Sequence, residues 1–218
     1  MEKRRGLKNL IFGLIAQGAT FAVGIALPRM IMTALGSETN GLISSVNSLL
    51  TYLSLLEAGV GAAALQALYR PCATNDREAI SGIMAATDRF YRKTGRLYLL
   101  AVVLLATLYP LLVRSELSYT EVFSVVLLTG LSGVVSHTWQ GRLRVFLTAE
   151  GRAYVITNAI TAAHVLTGLV KALLLLRGCR APVLQAATLL LTAAEVALIN
   201  VYIRRRYAWL DLSAKRDW

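Results

Sequence analysis

Long apolar blocks alternate with short polar breaks along the whole chain. The blocks fall at about 9–35, 41–68, 97–113, 120–141, 155–176 and 183–203. Each matches or exceeds the roughly 17–25 residues with which an apolar helix crosses a bilayer. The breaks read GSETNG, RPCATNDRE, RSELSYTE, AEGR and RGCRAP, where Gly, Pro, Asn and charge stop helices. The pattern predicts an all-α, polytopic membrane protein, with residues 1–218 forming a single six-transmembrane-helix bundle. The first block continues to about Leu35, well past the roughly 7–15 residues of a secretory h-region, so it is expected to be a retained span. Between the second and third blocks, residues 75–96 keep a helical period in Ile80, Ile83, Met84, Thr87 and Phe90, with charges on the other face. This predicts a cytoplasmic amphipathic helix that extends the third span near the headgroups, starting at Asn75 with Glu78 three residues on.

Charge orients the bundle. Eighteen Lys and Arg lie on the side that holds both termini and the 2–3 and 4–5 connections, against three on the other. By the excess of positive charge in cytoplasmic segments, both termini are expected in the cytoplasm. The net charge of +11 does not indicate nucleic acid, because the basic residues sit at the ends of apolar blocks without interleaved stacking aromatics. Hydrophobic residues make up 56% of the chain and charged ones 16%, against about 25% charged in soluble domains. Cys72 and Cys179 fall on opposite sides of the predicted membrane, so no intramolecular disulfide is expected. Metal-ligand spacings, CxxC, HExxH, phosphate-binding glycine loops and GxSxG are all missing from the sequence. No metal, cofactor or catalytic residue is therefore expected, and the chain does not read as an enzyme.

Small residues, Gly13, Gly18 and Gly24 in the first block and Ala58, Gly59, Gly61 and Ala62 in the second, suggest close helix packing in lipid. The stretch LPRMIMTALGSETNGLISSVNSLLTYLSLLEAGVGAAALQALYRPCATNDREAISGIM resembles the amino-terminal region of polysaccharide biosynthesis proteins. These are the bacterial lipid-linked oligosaccharide flippases of O-antigen type, within the multidrug/oligosaccharidyl-lipid/polysaccharide exporter superfamily. FLTAEGRAYV and YIRRRYAWL are similar to the family's 4–5 loop and to the segment that closes its sixth span. The resemblance implies one lobe of a MATE-like exporter in the bacterial inner membrane. Such a lobe would flip a lipid-linked saccharide by alternating access, among membrane lipids and with a second lobe or a homodimer partner. A drug/cation antiporter of the same superfamily and a non-transporting scaffold of a polysaccharide-assembly complex are the rival readings.

Polar residues inside the blocks are the candidate site. Glu57 is the only charged residue between Glu38 and Arg70. It is expected some 17 residues, or roughly 25 Å, below the external end of its span. A charge at such depth is costly unless it is paired, protonated or facing water, so Glu57, with Glu195 and His137, is a candidate for ion coupling. Arg29 stands about 9 Å below the same end, too far from Glu57 to pair with it. Arg29 and Lys171 either snorkel to headgroups or meet a phosphate. Gln17 and Asn47 are candidates for lining a polar cavity, and His164 is a weaker polar candidate.

Overall fold

The computed structural model describes residues 2–54, 58–113 and 115–210. Its described residues form helices and short turns, as the apolar blocks require: backbone groups out of water are satisfied within a helix. In chain order they are α1 (Glu2–Leu35), α2 (Ser37–Ser54), α3 (Ala58–Thr74), α4 (Arg77–Leu112), α5 (Tyr119–Val135), a π-turn (Ser136–Gln140), α6 (Gly141–Ala149), α7 (Ala153–Leu176) and α8 (Ala181–Arg206). Five stretches are long and apolar enough to cross a membrane: Gly13–Leu35, Arg77–Leu112, Tyr119–Ala149, Ala153–Leu176 and Ala181–Arg206. The chain is thus all-helical, with the make-up of a multi-pass membrane protein. The predicted block 41–68 falls on α2 and α3, and residues 55–57 between them, Glu57 included, lie outside the described residues.

Local chemistry sets the ends. Asp76, rather than Asn75, caps α4, its carboxylate accepting from Ala79 N at 3.0 Å. Asn75 takes φ 55° to turn the chain out of α3, a conformation that Asn adopts more readily than most residues. Ser118 caps α5 through Glu121 N at 3.3 Å. Glu38, in the first turn of α2, accepts from Ser115 Oγ at 2.7 Å and Glu116 N at 2.6 Å. That tie fixes α2 to the α4–α5 connection.

α1 packs along α7, α7 on α8, α8 on α5, and α5 on α4. α2 reaches α1 and α5, while α3 leans on α4 and α6. Two apolar cores result. One gathers Val46, Tyr98, Val102, Val122, Val125 and Leu184; the other gathers Leu68, Ile80, Met84, Phe146, Leu147 and Ile203. Glycines make the close contacts. A Cβ on Gly95 would fall 2.2 Å from Thr138 Oγ1, and one on Gly130 would fall 2.3 Å from Val102. Of the glycines predicted to pack, Gly61 alone meets a neighbour, Tyr91 Oη at 3.2 Å; at Gly13, Gly18, Gly24 and Gly59 a Cβ would meet open space.

The predicted amphipathic helix is the first half of a single 36-residue helix, α4. Its length is about 54 Å, against a hydrocarbon layer of roughly 30 Å. Measured from the ends at Leu35, Leu112, Tyr119, Leu176 and Ala181, a layer of about 20 residues reaches the level of Arg92, Trp139 and Ile156. The second core therefore continues the bundle beyond that layer, on the basic side.

Candidate functional site

The continuous run from Tyr119 to Ala149 is broken by the π-turn SHTWQ. An extra residue in a helical turn rotates the downstream helix by about 100°. α5 consequently buries Val122, Val125, Val126 and Thr129 in the first core, while α6 buries Leu143, Val145, Phe146 and Leu147 in the second. The widened turn also aims polar side chains inward. His137 Nε2 lies 3.0 Å from Thr94 Oγ1, and the imidazole sits between Tyr91 and Tyr98 with ring centroids 5.5 Å away on each side. Ser136 Oγ donates to Gln140 Oε1 at 2.5 Å, and Gln140 Nε2 donates to Glu195 Oε1 at 2.5 Å. Glu195 and His137 thus converge on one turn.

Above this turn lies a cavity of about 320 Å³ lined by Asn47, Leu50, Thr51, Tyr98, Ser136 and His137, among others. Tyr98 Oη donates to Leu50 O at 3.4 Å, fastening α4 to α2 at the cavity wall. Below the turn is an ion pair that the sequence did not predict. Asp88 is 4% exposed and Arg142 5%. The Arg142 guanidinium contacts Asp88 Oδ1, and Arg92 Nε donates to Oδ2 at 2.7 Å. Asp88 counted as part of the charged outer face of 75–96, yet it occupies the stripe Ile80, Met84, Asp88, Tyr91, Gly95, Tyr98, Val102, Ala106, all buried. That spacing of threes and fours was the available signal.

The remaining candidates scatter. Lys171 is buried and its Nζ donates to Gln185 Oε1 at 3.4 Å, near the end of the bundle opposite the basic one. Arg29 and His164 are exposed on α1 and α7. Gln17 lines a different cavity, between α1, α6 and α7. Glu57 lies outside the described residues.

At the basic end, the segment after α8 folds back. Tyr207 and Trp209 pack edge-on against Phe146, and the Arg77 guanidinium lies 5.3 Å above the Trp209 ring. Tyr207 Oη donates to Glu150 Oε2 at 3.4 Å. Burial, reinforced by the Glu150 carboxylate, pushes the Tyr207 phenol up to about 12. The same two causes, in the same order, push the Cys72 thiol up to about 11. This knot joins α3, α4, the α6–α7 turn and the end of α8, a structural role. Among the described residues no group of His, Cys, Asp and Glu is arranged to hold a metal ion. Comparison with protein-family models, with curated proteins and with solved structures returns no match for this chain.

Proposed function

We propose that the chain is one lobe of a transporter that flips a lipid-linked saccharide across the bacterial inner membrane without covalent chemistry. The observation that carries this reading is the polar cluster at the π-turn. There Glu195, Gln140, Ser136, His137 and Thr94 meet inside otherwise apolar helices, beside a cavity of about 320 Å³. The cluster lies at the basic-side edge of the apolar layer, at the level of Trp139. Ionisable residues enclosed there between apolar helices are expensive and concentrate on transport pathways, and π-turns recur at functional sites. In this reading Glu195 exchanges a proton or cation, and the π-turn is the element that rearranges with it. A cavity of about 320 Å³ holds one or two sugar units and not a longer lipid-linked oligosaccharide, so in this reading a second lobe or second copy completes the pathway. Six spans with cytoplasmic termini fit the distribution of Lys and Arg.

One observation favours the scaffold reading: the buried polar groups are paired locally, Gln140 with Glu195, His137 with Thr94, and Asp88 with Arg142. Flipping of a fluorescent lipid-linked saccharide in proteoliposomes separates the two. The wild-type chain, as a dimer or with a co-expressed second lobe, should move the lipid faster under an imposed pH or sodium gradient. Glu195→Gln and Glu57→Gln should fold and lose the gradient dependence. Absence of flipping by a well-folded wild-type assembly refutes the transporter reading; wild-type behaviour of Glu195→Gln removes Glu195 from the coupling.

A further inference from the structure

Two adjoining cavities lie beside the π-turn cluster, and no residue of that cluster lines either of them. One is a polar chamber of about 420 Å³ whose lining includes Gln17, Thr20, Arg144, Thr148 and Thr157. The other is an apolar groove of about 500 Å³ between α1 and α7, with Ile15, Ala19, Val165, Leu166 and Leu169 on its walls. Ala16 and Thr161 line both, so the groove opens from the chamber. Each volume lies in the roughly 300–1,000 Å³ range of small-molecule sites.

The chamber suits an anion. Arg144 is exposed and makes no ion pair or hydrogen bond among the described residues. Glu195 acts on it electrostatically but does not line the chamber, and no carboxylate does. The N-terminus of α7 opens into the same space: Ala153, Ile156 and Thr157 line it, and Arg152 supplies no side-chain cap. The positive end of the helix dipole favours phosphate, and guanidinium binds phosphate oxygens in a two-pronged fashion.

The groove fixes which phosphate. A Cβ on Gly168 would lie 2.9 Å from Val23, so α1 and α7 touch there and close the groove. From Thr157 to Gly168 is 11 residues, about 16 Å, or half of a hydrocarbon layer roughly 30 Å thick. The chamber lies near Ile156, the level at which that layer ends on the basic side. A headgroup at the surface with a chain one leaflet deep is the shape of a glycerophospholipid. We infer that the chamber and groove form a binding site for an anionic glycerophospholipid of the basic-side leaflet, with the phosphate at Arg144 and an acyl chain between α1 and α7.

Native mass spectrometry of the full chain in detergent tests this, with phosphatidylglycerol, phosphatidylcholine of the same chains, and glycerol phosphate as probes. The wild type should retain phosphatidylglycerol about tenfold more strongly than phosphatidylcholine. Arg144→Gln should abolish that preference, Arg144→Lys should keep part of it, and Arg205→Gln, elsewhere on the basic end, should leave it unchanged. Ala19→Leu, which narrows the groove, should weaken retention of both lipids. An intact preference in Arg144→Gln overturns the proposal, as does an equal loss in Arg205→Gln, which would indicate general surface charge. Binding of glycerol phosphate as strong as that of the lipid overturns it too, since the chain would then contribute nothing.

Discussion

Removing the Asp88 charge should be among the most damaging single changes outside the apolar cores. Asp88→Asn strands Arg142, which is 5% exposed and whose guanidinium meets Asp88 as its only ionic partner among the described residues. Two unit charges about 4 Å apart at an effective dielectric of about 20 interact by roughly 4 kcal/mol. Breaking one side of a buried pair costs about 3–5 kcal/mol, because the surviving charge is left unpaired. Arg92, the other partner of Asp88, is itself a cation and offers Arg142 no countercharge; its side chain is 60% exposed, so its own contact with Asp88 contributes less than about 1 kcal/mol. At about 2–4 °C per kcal/mol for a chain of this length, the unfolding midpoint should fall by on the order of 10 °C. The assay is equilibrium unfolding in mixed detergent for Asp88→Asn, Arg142→Gln, the double variant and Arg92→Gln. The double variant should be more stable than either Asp88→Asn or Arg142→Gln alone, and Arg92→Gln should stay within about 1 kcal/mol of the wild type. Additive losses in the double variant, or an Asp88→Asn cost below about 1 kcal/mol, would refute the reasoning that the pair is buried and coupled.

Gly95→Ala should lose about 1–3 kcal/mol, because its Cβ would fall 2.2 Å from Thr138 Oγ1. Adding Thr138→Ala should recover part of that loss, and equal stability of both variants would show that α4 and the π-turn are not in contact. Gln185→Leu should cost about 1–3 kcal/mol by leaving the buried Lys171 ammonium without its acceptor, whereas Lys171→Met with Gln185→Leu should restore stability. Cys72, raised from 9.0 to about 11, should hold about 100-fold less thiolate at pH 8 than an unshifted thiol. Maleimide labelling of Cys72 in a folded Cys179→Ser variant should therefore still be rising at pH 10, and adding Glu150→Gln should shift the profile to lower pH; an inflection near pH 9 in Cys179→Ser contradicts the burial. Reporter fusions after residues 114 and 180 should read periplasmic and those after 77 and 152 cytoplasmic, and a reversal of either pair breaks the predicted topology.

The helical class was legible in the sequence because a bilayer leaves little choice: apolar runs of this length satisfy their backbone only as helices. Stops were legible for the same local reason, down to the break at Asn75, although the cap moved one residue to Asp76. What went unread depends on registration between helices. Asp88 counts as surface charge along one helix, and it becomes buried because α6 brings Arg142 against it. Gly95, Gly130 and Gly168 carry the close contacts, while Gly13, Gly18 and Gly24 face open space, since small size permits contact and only the neighbour decides it. Glu195 and His137 were separate polar residues in two blocks; the π-turn rotated Gln140 and His137 to the same level and joined them into one cluster. A single chain fixes which residues are costly to leave in lipid. Which of them are paired, and across which helices, is set by side chains far apart in sequence that meet only when the bundle closes.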